Sequence, residues 1–164
     1  MTDFSESFRK GIAAASVAQK NRQEIASVFA ALNDQLARET DGNVAIAIKR
    51  VPISRYQSVI NFVGPLGPRD NTPRDGIFAH NPQVPDSPAK ELAEWSQDRA
   101  GYPCRIKLGL KELYCEDKEA LEARLAALLE DPIVGESLYQ LMRLKSEVEL
   151  KEEGESDKKD TGAK

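Results

Sequence analysis

Residues 104–117 read CRIKLGLKELYCED and carry both cysteines of the chain, one at each end of an apolar–polar alternation. Gly109 stands at the first central position of Leu108-Gly109-Leu110-Lys111, where a type II′ hairpin turn needs a positive φ. With the turn there, Ile106 faces Leu113, Lys107 faces Glu112, Arg105 faces Tyr114 and Cys104 faces Cys115. One face of the hairpin is then Cys104, Ile106, Leu108, Leu113 and Cys115, and the other is Arg105, Lys107, Glu112 and Tyr114. A slip of one residue scrambles both faces, so the pattern selects this register. A single strand from Tyr102 to Leu110 also alternates and is the competing reading.

The cysteines follow from the register. Facing residues of a hydrogen-bonded antiparallel pair have Cα atoms ~5.5 Å apart, which a disulfide tolerates. On an apolar face they read first as reduced core residues, with a disulfide or redox pair as the alternative. A zinc site needs about four ligands. Two cysteines and a single histidine, His80, without paired spacing do not supply them, and no cofactor or metal is expected.

On the C-terminal side, Asp117 is placed to cap a helix carrying Leu121, Leu125, Leu128 and Leu129. Asp131-Pro132 ends it and caps another with Ile133, Val134, Leu138, Leu141, Met142 and Leu144. From Lys151 the chain is KEEGESDKKDTGAK, read as a disordered polar tail, 151–164. On the N-terminal side, Ser87-Pro88 has the form of a cap and first turn, and Leu92 and Trp95 are three apart. A short helix to about Arg99 is expected there.

Further upstream, 64–88 holds six of the nine prolines and reads as a loop with room for a short strand around Ile77 to His80. Before it, Val44, Ile46 and Ile48, then Tyr56, Ser58, Ile60 and Phe62, alternate as two strands. Residues 1–40 read as one helix, capped by Thr2 or Ser5 and stopped by Thr40-Asp41-Gly42, with the glycine in the left-handed position. Its apolar spacing is heptad-like: Phe8, Ala15, Phe29 and Leu36 recur on one position, and Gly11, Ala18, Ile25 and Leu32 on the other. Arg22 is the polar intruder. Such a helix is ~55 Å long, more than the ~40 Å across a compact domain of this size. The helix therefore overhangs, breaks, or packs against something besides its own sheet, and an overhang would offer a partner or a second copy a place to dock.

These elements make one α+β domain over 1–150, an antiparallel sheet of four or five strands covered by helices. The element order is similar to that of the small acidic class I chaperones of type III secretion. That topological resemblance implies a dimer that binds a partner chain.

Composition limits the functional classes. The chain is 30% charged and 40% hydrophobic, the balance of a soluble globular protein. MTDFSESF has no secretory features, no apolar run nears the ~20 residues of a membrane span, and a cytoplasmic setting is expected. The net charge of −4 is uneven: residues 49–111 hold ten Lys/Arg against six Asp/Glu, and 112–164 hold eight against fifteen.

Three functions compete. The leading one is a non-catalytic adaptor, inhibitor or chaperone-like subunit. It binds another chain or a second copy of itself through Phe8, Gly11, Ile12, Ala15 and Ala18, where Ala13 and Ala14 also permit close approach. A small enzyme is the second, with His80 as general base oriented by Asp70, Asp75 or Asp86. No nucleophile motif accompanies it, and GPLGPRDNTPRDG lacks the lysine and hydroxyl residue of a phosphate loop. The third is a nucleic-acid or polyanion binder using Arg50, Arg55, Arg105 and Lys107 on the open sheet face, with Tyr56 and Tyr114 as stacking candidates. The sequence pI of about 5.2 weighs against it.

Overall fold

The computed structural model describes Met1, residues 3–51 and residues 73–144. The expected strand at Tyr56–Phe62, the first part of the proline-rich stretch and the polar tail lie outside the described residues. In chain order the elements are α1 (Phe4–Glu39), β1 (Ala45–Val51), β2 (Arg74–His80), β3 (Lys90–Asp98), β4 (Gly101–Leu108), β5 (Lys111–Cys115), α2 (Lys118–Leu129) and α3 (Pro132–Met142). The five strands form one antiparallel meander in sequence order. Its inner face is covered by α1, α2 and α3, an α+β arrangement.

The 104–115 hairpin has the register its alternation selects: Cys104↔Cys115, Arg105↔Tyr114, Ile106↔Leu113 and Lys107↔Glu112. Gly109 takes φ 60 while Leu110 keeps a negative φ, as a type II′ turn demands. Cys104, Ile106 and Cys115 are fully buried, as are Ile77 and Ala79 of β2. Ile46 of β1 joins them, and Phe29 of α1 meets Trp95 of β3 edge to face, ring centres 5.6 Å apart.

Three expectations need correction. Residues 90–98 form a strand, not a helix. Leu92 and Trp95 share a buried face because the β2–β3 register shifts between Ile77 and Phe78, leaving Leu92 as an extra residue in a bulge. Leu92, Ala93 and Trp95 are thereby all buried on one side, at spacings that imitate a helix. The likeness of element order to secretion chaperones relied partly on that helix. Second, α1 is capped by Asp3, whose carboxylate accepts from the N–H groups of Ser5 (2.9 Å) and Glu6 (3.3 Å). Third, Asp41, at φ 51, occupies the first left-handed position after α1, and Gly42, at φ 76, follows it. The Gly42 N–H reaches back to the Ala37 carbonyl at 2.9 Å, closing a Schellman turn. Asp117 and Asp131 cap α2 and α3 as expected. The strand inside the proline-rich stretch is longer than expected, seven residues.

Candidate interaction surface

Polar latches fix α1 on the sheet, among them the Tyr102 hydroxyl of β4 donating to Glu24 (3.1 Å). Asn33 meets the backbone of Ile46 twice, donating to its carbonyl (2.8 Å) and accepting from its N–H (2.7 Å). At the other end of the packed half, Asn21 donates to the Ala100 carbonyl (2.9 Å) and Arg22 to that of Arg99 (2.8 Å), both in the β3–β4 turn. Arg22 interrupts the heptad stripe because it satisfies this turn. Gly101 lies directly beneath: a Cβ built there would sit 2.5 Å from the Asn21 Cβ.

Beyond that latch the helix leaves its own domain. Ile25, Val28 and Phe29 are buried, whereas Phe4, Phe8 and Ile12 are 76%, 69% and 57% exposed. Gly11 and Ala15 are exposed as well, and Ala18 is half-buried. Residues 4–20 thus project ~25 Å at 1.5 Å per residue. At ~100° per residue, Phe4, Phe8, Gly11, Ile12, Ala15 and Gln19 share one face about 100° wide. Asp3, Glu6, Arg9, Lys10 and Lys20 lie on the remainder, where Lys10 and Glu6 pair at 2.7 Å. Val17 is the exposed apolar residue off the stripe. All five residues read as partner-binding are therefore on this projecting half.

The open face of the sheet is a lattice of opposite charges. Arg74 makes a forked pair with Glu91. Lys107 approaches Glu94 (3.8 Å) and Arg105 approaches Glu112 (3.8 Å) while donating to Ser96 (3.1 Å). Tyr114 donates its hydroxyl to Glu112 (3.0 Å). Arg50, expected on this face, is on the other one: it follows Ile46 and Ile48 at a period of two and stands 3.5 Å from Asp75, opposite the buried Trp95. Arg50, Arg105 and Lys107 are each beside a carboxylate, while Arg55, like Arg69 and Tyr56, lies outside the described residues. Sequence reading grouped the cations but missed Glu91 and Glu94, because it put them on a helix.

His80 ends β2 beside Ala45 of β1. Its Nδ1 is buried with no hydrogen-bond partner among the described residues. Burial, and secondarily the nearby Lys49 charge, holds its pKa below the ordinary value. Asp75 cannot orient it: five residues along one strand put it ~16 Å away and on the other face. Asp70 lies outside the described residues, and no bond joins His80 to Asp86. The next residue, Asn81, is buried and holds α3 in place, donating to the Leu141 carbonyl (2.9 Å) and accepting from the Gln83 N–H (2.9 Å).

The thiols are free and fully buried, and Cys104 donates to the Gly101 carbonyl at 3.3 Å. Burial, with the neighbouring Cys115, pushes the Cys104 thiol up to about 12, and burial raises Cys115 too. Both are protonated and weakly nucleophilic. Among the described residues no cluster of three or more His, Cys, Asp or Glu side chains is set to hold a metal ion. No helix there is long and apolar enough to cross a membrane. No family model, curated protein or solved structure matches this chain.

Proposed function

We propose that this protein is a non-catalytic protein-binding subunit, an adaptor, inhibitor or chaperone-like regulator, whose binding element is the projecting half of α1. One observation carries the reading: Phe4, Phe8 and Ile12 line an uncharged helical face that no other element among the described residues covers. Burying each such side chain is worth ~1.5–3 kcal/mol, so a partner that covers the face gains several kcal/mol from the apolar contact alone. The rival chemistries find less support. His80 has a buried, unpartnered nitrogen and no orienting carboxylate among the described residues, and the cations of the sheet face stand beside acids.

The test is affinity capture from the native host with the wild-type chain and Phe8→Asp at matched thermal stability. The proposal expects a captured protein, or untagged copies of the chain, to be lost with Phe8→Asp. Identical capture by both chains would contradict it, as would a turnover abolished by His80→Ala with the fold intact.

A further inference from the structure

The stripe of α1 does not stop at the latch, where Arg22 is its one charged member. Continuing at ~100° per residue, Arg22, Ala26, Ala30 and Asn33 fall on the same face as Phe4, Phe8, Ile12 and Ala15. There the stripe becomes the wall of a groove of about 420 Å³, closed on its far side by Ile48 of β1 and Gln97 of β3 and floored by Phe29. The helix therefore presents large side chains at its free end. Small ones beside a cavity stand at its packed end, on one continuous face. The groove is open to solvent, with volume enough for an aromatic side chain.

Phe8 cannot reach its own groove. It precedes Ala26 by eighteen residues of one unbroken helix, ~27 Å along the axis. A second copy running antiparallel can. With the two-fold axis level with residue 17 along the helix but on the stripe side, opposite the Val17 side chain, Phe8 of one copy meets Ala26 of the other, Phe4 meets Ala30, and Ile12 meets Arg22, whose guanidinium is held on the Arg99 carbonyl. Every large tip residue but Ile12 then faces alanine, and the axis applies the contact twice. In a parallel pair Phe4 and Phe8 would instead meet their own copies, and both grooves would stay empty.

We infer that the projecting half of α1 seats Phe4 and Phe8 in the α1–Ile48–Gln97 groove of a second copy, reciprocally, making an antiparallel two-fold dimer. The occupant follows from fit and area. At ~150–250 Å² per aromatic side chain, covering the exposed parts of Phe4, Phe8 and Ile12 removes about 400 Å² per tip. Symmetry doubles this to about 800 Å², and the lining of the two grooves brings the total to about 1,000 Å², where specific interfaces begin. This inference rests on the reading of α1 as the binding element and adds the partner and the register.

The experiment is oxidative cross-linking of the full chain carrying Phe8→Cys and Ala26→Cys together, with each single variant as control. The native thiols are buried and stay silent. The double variant is expected to give a covalent two-chain species under mild oxidation, and each single variant little or none. In parallel, Ala30→Glu, at an exposed helical position, is read by light scattering with circular dichroism to verify the fold. It is expected to reduce the two-chain mass to one, as Phe8→Asp does. No cross-link in the double variant, with Ala30→Glu leaving the mass unchanged while Phe8→Asp lowers it, overturns the groove and register but leaves α1 as the binding element. A wild-type chain that is monomeric, with Phe8→Asp still abolishing capture of another protein, overturns self-pairing only. Failure of Phe8→Asp to alter either mass or capture overturns both.

Discussion

The two cysteines show how much one residue's surroundings decide. They are core: apolar neighbours exclude water, the pKa of Cys104 rises to about 12, and that of Cys115 rises as well. Alkylation of the native protein without reductant should label neither thiol, and alkylation after unfolding should label both. A Cys104–Cys115 linked peptide from fresh protein would refute this. Cys104→Ala should cost ~1 kcal/mol or somewhat more through lost volume, measured by denaturant midpoint, with binding unchanged. His80 yields a pH prediction whose sign follows from its lowered pKa. The unfolded chain binds more protons than the folded one as pH falls below the ordinary value of 6.5, so stability drops there. Above 6.5 the contribution is complete; it fades as pH approaches the lowered folded value. Between about pH 7 and pH 5.5, a range set by the histidine reference value, the wild type should lose more thermal stability than His80→Gln. Parallel curves would contradict the assignment.

Elements were legible where periodicity and turn chemistry agreed, as where Gly109 favours a hairpin over a single strand from Tyr102 to Leu110. The 104–115 alternation around Gly109 admits one register that keeps Cys104, Ile106 and Cys115 inside, and the sheet uses it. β3 was not legible. Lys90, Glu91, Leu92, Ala93 and Glu94 carry helical propensity, and a bulge at Leu92 breaks the period of two. Pairing on both sides, with β2 and β4, overrides that propensity. The groove beside α1 could not be read at all, because Ala30, Ile48 and Gln97 converge from elements far apart in sequence. The excess length of α1 could be read, since helix length against domain width is a matter of arithmetic. What joins the two halves of α1 is the latch over the β3–β4 turn, and Gly101 is its tight point. With φ +96 and the Asn21 Cβ 2.5 Å from where its own would lie, Gly101→Ala forces strain and displaces the helix. It should destabilise by ~1–3 kcal/mol, read as a lower denaturant midpoint. An unchanged midpoint would mean that the helix does not depend on this contact.

At the scale of the whole molecule, one half of α1 packs on the sheet and the other half, with Phe4, Phe8 and Ile12 exposed, projects from it. Phe29 is buried edge to face on Trp95, so Phe29→Asp places an unpaired charge in the core. That costs several kcal/mol, a large part of the ~5–15 kcal/mol that holds a domain folded. Phe29→Asp should therefore unfold the chain, and emission from Trp95, the single tryptophan, should shift to that of a solvated indole. Phe8→Asp alters a side chain already in water and should leave the monomer's fold intact. The most direct measurement is light scattering of wild-type and Phe8→Asp protein across a wide concentration range, each checked by circular dichroism. The account predicts a two-chain mass for the wild type and a one-chain mass for Phe8→Asp, with matching helical content. A wild-type chain that stays at one-chain mass at every concentration would contradict it.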